Sequence, residues 1–123
     1  MNELNLSTLR HTWIFDLDGT ILKHNGYLTE DGDEFLEGAQ EFLESIPPED
    51  MIIFLTARTS FDSKETIDFL KRHGIRYDRI IFDAPTGERI LVNDTKPSGL
   101  ETSIAVNLKR DEFDLKFKID PHK

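Results

Sequence analysis

Two uninterrupted apolar runs, Trp13-Ile14-Phe15 and Met51-Ile52-Ile53-Phe54-Leu55, each stop abruptly at polar residues. Continuous apolar runs of this length suit strands buried in a parallel sheet, and helical patterns separate them along the chain. Phe35, Leu36, Ala39, Phe42, Leu43 and Ile46 fall on one face of a helix that Pro47-Pro48 must stop. Asp62 and Glu65 have capping-box spacing, and Gly74 follows the basic turn Lys71-Arg72-His73, so a second helix is marked at both ends. Thr12–Phe15, Met51–Leu55, Arg79–Phe82, Ile90–Val92 and Ser103–Leu108 are predicted as five strands. Phe113, Leu115, Phe117 and Ile119 alternate with polar residues as a half-exposed terminal strand does. Met1–Arg10 alternates polar and apolar residues without low-complexity bias. Strands alternating with helices imply right-handed parallel crossovers. The expected fold is therefore α/β: one three-layer, Rossmann-like domain over residues 1–123, with a mostly parallel sheet of about five strands.

Between Ile21 and Asp33 the dipeptides Asn25-Gly26 and Asp31-Gly32 predict turns, and the stretch reads as a short hairpin or flap. The link Asp83–Arg89 is too short for a helix, so that junction is expected to be irregular.

The chain carries 24 acidic against 15 basic residues, a formal charge of −9. That balance argues against general nucleic-acid binding, which needs a basic stripe to displace counterions. It suits clustered carboxylates that gather a divalent cation and then accept a phosphate. The absence of cysteine excludes disulfides and thiolate metal sites. No leader pattern and no apolar run of membrane-span length is read, so the expectation is a cytoplasmic protein without a membrane partner.

Acidic residues open the first strand's exit loop: Asp16-Leu17-Asp18-Gly19-Thr20. The second run exits into Thr56-Ala57-Arg58, and the fourth predicted strand into Asn93-Asp94. Ligands in open parallel sheets bind beyond the carboxyl ends of the strands, where all three sets would emerge together. Hard oxygen donors without histidine or cysteine select Mg²⁺, which is held by a few carboxylates, waters and a substrate phosphate. A carboxylate can attack phosphorus and form an aspartyl phosphate, while a second protonates the leaving oxygen and then activates water. Asp-Gly is also an ordinary turn, so the residues alone leave a solvated acidic loop as the bland alternative.

These residues resemble the haloacid dehalogenase superfamily of phosphatases: Asp16-Leu17-Asp18-Gly19-Thr20, an apolar strand ending in Thr56, and Asn93-Asp94 after another apolar strand. The likeness spans residues 12 to 108. It implies Asp16 as nucleophile, Asp18 as general acid and base, and Thr56, with Ala57 and Arg58 beside it, as the phosphate-binding loop. It further implies Mg²⁺ on Asp16, Asp94 and the main-chain carbonyl of Asp18, with a small phosphorylated substrate. The short intervals after the first two motifs resemble those of capless members, whose open site takes a large substrate or is closed by a neighbouring copy in a homo-oligomer. Small capless relatives with an Asn-Asp or Asp-Asp followed by a Pro occur among proteins linked to bacterial surface-sugar biosynthesis, and by that resemblance a sugar phosphate is the implied substrate class.

The chain departs from the family in two places. The usual lysine is missing from Asp83-Ala84-Pro85-Thr86-Gly87, with Arg58, Arg89 and Lys96 as the nearest substitutes, and Asn93 stands where an acid is common. The expectation is thus a Mg²⁺-dependent phosphatase. The alternatives are a weak or inactive binding or regulatory domain of the same fold and a phosphotransferase. His11, His24, His73 and His122 lack ligand spacing, and Tyr27, in the flap, is expected as a solvent-facing turn aromatic, with contact to a leaving group as the alternative.

Overall fold

The computed structural model describes residues 2–123 as a small α/β domain with parallel sheets and few helices. Its strands are β1 (Asn2–Leu6), β2 (Thr12–Phe15), β3 (Met51–Leu55), β4 (Arg79–Ile81) and β5 (Leu115–Ile119). The helices are α1 (Ala39–Ser45) and α2 (Ser63–Arg72). Three strands form one parallel sheet in the order β2-β3-β4, and β1 and β5 pair separately, also in parallel.

Register explains the core. Trp13 lies opposite Ile52 and Phe15 opposite Phe54, so one face of the β2-β3 pair is a block of large buried side chains. Phe42 of α1 meets Trp13 and Phe15 edge-on, and Phe117 of β5 packs against both Trp13 and Phe42. Phe69 and Leu70 of α2 join the same cluster. The opposite face is much less covered: Ile14 and Ile81 are each 50% exposed and Met51 45%. Among the described residues burial in this sheet is therefore heavier on one face than on the other.

Local chemistry sets the element ends. Gly38, in the left-handed region at φ 85°, delays α1 until Ala39, although the apolar stripe begins at Phe35. Ile46 turns extended before Pro47, ending the helix. At the end of α2 the Ile75 N–H bonds the Leu70 carbonyl and the Gly74 N–H bonds that of Lys71. With Gly74 at φ 65° this is a Schellman cap, as the sequence leads one to expect. The capping box is not made, because the Asp62 carboxylate accepts from the Thr59 hydroxyl instead.

Ile90–Val92 and Ser103–Leu108, expected as strands, run as irregular backbone. Ile90 and Val92 are each 85% exposed, so their apolar character finds no buried face here. Apolar runs this short carry no information on whether a partner strand is at hand. Conversely, Asn2–Leu6 becomes a strand because β5 lies beside it. Among the described residues no helix is long and apolar enough to cross a membrane.

Asp50 ties the start of β3 to β2. Its carboxylate is 5% exposed and accepts the His11 N–H at 3.0 Å and the Trp13 indole N–H at 3.0 Å. Asp50→Asn keeps only one of these acceptors. A loss of about 1–3 kcal/mol is expected, the cost of one unmatched buried donor, read as a lower denaturation midpoint with an unchanged m-value.

Candidate functional site at the carboxyl edge of the sheet

The loop after β2 is wound around Leu17. Its side chain is fully buried, and its carbonyl accepts the N–H groups of Thr20, Ile21 and Leu22. Burying Leu17 leaves its neighbours Asp16 and Asp18 only partly covered. Gly19 is required at φ 80°, and a Cβ there would stand 3.0 Å from Arg110 Cγ. The Gly19 carbonyl accepts the Asp111 N–H, while the Asp111 carboxylate takes the His24 N–H at the base of the flap.

That base is a short antiparallel contact: the Lys23 N–H bonds the Glu34 carbonyl and the Leu36 N–H bonds that of Ile21. The flap between them holds a 3-10 turn at Gly26–Leu28 and brings Asp33 and Tyr27 to the loop after β3.

There Arg58 is the centre. Its side chain is 1% exposed, and each of its five N–H bonds has an acceptor. Nε and Nη2 grip Asp18 side-on at 3.0 and 2.8 Å. Nη1 and Nη2 grip Asp33 end-on at 2.9 and 2.8 Å. The remaining Nη1 proton goes to the Thr66 hydroxyl of α2 at 3.0 Å, and the Tyr27 ring covers the guanidinium 4.1 Å from its centre. Burial alone would lower the guanidinium pKa, but the hydrogen bonds and charges of Asp33 and Asp18 outweigh it and raise it. The Tyr27 phenol is also raised, by burial first and then by Asp18 and Asp62, so it remains an O–H donor at neutral pH.

Asp16 is the accessible member. Its Oδ2 accepts the Thr20 hydroxyl at 3.1 Å and its Oδ1 the Arg89 guanidinium at 3.0 Å. Both partners of that ion pair are about one-third exposed, 36% for Arg89 and 34% for Asp16. Such a pair is worth about 0–1 kcal/mol and is readily displaced. Of the three cations considered for balancing the nucleophile, Arg89 is the one paired with it, whereas Arg58 is committed to Asp18 and Asp33.

The other expected residues fall as follows. Thr56 is 1% exposed, and its hydroxyl accepts the Arg58 N–H at 3.0 Å, so as placed it shapes the loop. Ala57 is exposed at the same turn. The Thr56 carbonyl takes the Ala84 N–H, and Asp83, at φ 62°, accepts from the Ser60 N–H, which ties the exits of β3 and β4 together. Asp94 lies on the irregular stretch after β4, exposed, with its carbonyl on the Thr102 hydroxyl.

The oxygen donors Asp16, Asp18 and Asp94 are right in kind for Mg²⁺. Among the described residues no three histidine, cysteine or acidic side chains come together as a metal-ligand set. The carboxylates of Asp16 and Asp18 instead face arginines.

No family model, curated protein or solved structure matches the chain. The site is therefore read from its own chemistry. Asp33 and Thr66 are the members that residue patterns did not assign. Arg89 is one of the three candidate cations. No local signal marks Asp33 or Thr66, because each meets Arg58 only through the fold.

Proposed function

We propose that this chain is a phosphatase-type domain of the haloacid dehalogenase kind, hydrolysing a phosphate monoester through an aspartyl phosphate on Asp16. The observation that carries the reading is the accessible Asp16 carboxylate at the end of a parallel strand, held between the Thr20 hydroxyl and the displaceable Arg89 guanidinium. A phosphate arriving there takes over Arg89, whose planar fork suits its oxygens. An Asp16 oxygen then forms the bond to phosphorus as the ester oxygen leaves and is protonated. Water next attacks phosphorus, releasing inorganic phosphate and restoring the carboxylate. Asp18 is the nearest candidate for both proton transfers, and it acts only once an oxygen is freed from Arg58. A sugar phosphate is the substrate class suggested by the resemblance, and the finer fold expected with it, a three-layer domain, belongs to the same proposal.

A specific observation favours a second reading, a phosphate-binding or regulatory domain without turnover. Every Arg58 donor and both Asp18 oxygens are already engaged, and no metal-ligand set is gathered. An aryl phosphate assay, run with Mg²⁺ and with a chelator, separates the two. Turnover with a hydroxylamine-sensitive acyl phosphate trapped on Asp16 is the expected result. Binding of inorganic phosphate without hydrolysis of any ester in a panel selects the second reading. The chelator arm reads the Mg²⁺ dependence.

A further inference from the structure

We infer that Asp33 is a resident anion in an oxyanion-binding fork of Arg58, and that a phosphate ligand of this site displaces it by opening the flap. The inference takes its choice of anion from the phosphate-ester reading above.

The geometry of the pair is the starting point. Two parallel N–H bonds, Nη1 to Oδ2 at 2.9 Å and Nη2 to Oδ1 at 2.8 Å, make the end-on fork by which arginine recognises carboxylates and phosphates alike. Asp18 occupies the other edge of the same guanidinium, through Nε. The Asp18 side is fixed to the loop wound around Leu17, whereas Asp33 arrives on the flap. One edge of the fork is thus met by the loop after β2, and the other by the flap.

The flap meets solvent at its tip. Asn25 at φ 56° and Gly32 at φ 72° bracket it with left-handed turns, and Leu28 at its tip is 68% exposed. Apart from Asp33, it meets Arg58 through the Tyr27 ring, a face-on contact that slides without breaking a hydrogen bond. Charge points the same way. Within the hydrogen-bonded cluster Asp16, Asp18 and Asp33 stand against Arg58 and Arg89, leaving one net negative charge, and Asp62 adds another beside Tyr27. A phosphate dianion is repelled while Asp33 is seated. Once Asp33 has swung out, the remaining pairs are balanced, and two N–H groups face the incoming oxygens.

Titration with inorganic phosphate at fixed ionic strength tests this on the whole chain. Asp33→Asn is expected to bind phosphate at least tenfold more tightly than the parent. Asp31→Asn, which removes an equal charge from the exposed flap tip, leaves the affinity where it was. Adding Arg58→Lys to Asp33→Asn, which takes away the fork, abolishes the gain. Equal affinity for the parent and Asp33→Asn, an equal gain in Asp31→Asn, or a gain that survives Arg58→Lys overturns the inference. Should Asp33→Asn fail to fold, hydrogen exchange of the parent decides. Faster exchange over residues 24–32 on adding phosphate supports displacement, and unchanged or slower exchange refutes it. The titration requires no turnover. A tightened affinity without ester hydrolysis therefore sinks the phosphatase reading alone, and hydrolysis with unchanged affinity sinks this inference alone.

Discussion

Arg58→Met is expected to lower stability by about 3–5 kcal/mol, the usual cost of removing one partner from a buried ion pair. Methionine fills much of the same volume, so the loss reports charge and hydrogen bonding more than packing. Without the guanidinium, Asp33, 5% exposed, and Asp18, 17% exposed, are left near each other with no cation between them. Thr66 loses the donor to its hydroxyl oxygen, and Tyr27 the cation under its ring. Denaturant unfolding measures the effect, and a shift below about 1 kcal/mol, the ceiling for an exposed pair, shows that the cluster does not act as a buried clamp. Replacing Asp18 and Asp33 with Asn in the Arg58→Met background should recover part of the loss, because the uncompensated carboxylates carry most of it.

Asp16→Asn is expected to remove turnover, by a factor on the order of 10³–10⁶, the scale seen when a covalent nucleophile is deleted. The amide is nearly isosteric, so the Thr20 hydroxyl keeps an acceptor and the fold is retained. Circular dichroism and the denaturation midpoint should remain close to the parent's, since the Arg89 pair that is lost is exposed. Phosphate affinity should hold or rise, because Arg89 is released from a competing carboxylate. If Asp16→Asn hydrolyses an aryl phosphate at the parent's rate, Asp16 is not the nucleophile.

Legibility in the residue pattern followed the range of the forces involved. β2 and β3 stand out because continuous apolar runs with abrupt polar ends have few other uses, and the end of α2 because Gly74 at positive φ closes a helix locally. The late start of α1 turns on Gly38, whose left-handed geometry overrides an apolar stripe that continues upstream. Ile90–Val92 has strand composition without a strand's surroundings, and β1, with Leu4 and Leu6 its only apolar residues, is a strand only because β5 returns to it.

The site divides in the same way. Asp16 and Asp18 announce themselves by position. The role of Arg58 does not, since a guanidinium after a strand reads as a free phosphate ligand until Asp33 and Thr66 are seen to have taken its donors. Asp94 was expected beside Asp16 on the strength of an adjacent strand. That strand is not formed, and Asp94 lies exposed on irregular backbone.

The parallel clasp of β1 and β5 has a kinetic side. Asn2 faces Leu115 across it, so nearly the whole polypeptide must be gathered before a single rung can close. Closure entropy is spent early and repaid late for contacts so remote in sequence. The clasp thus carries a large closure cost, and Phe117, packed against Trp13 and Phe42, joins it to the core.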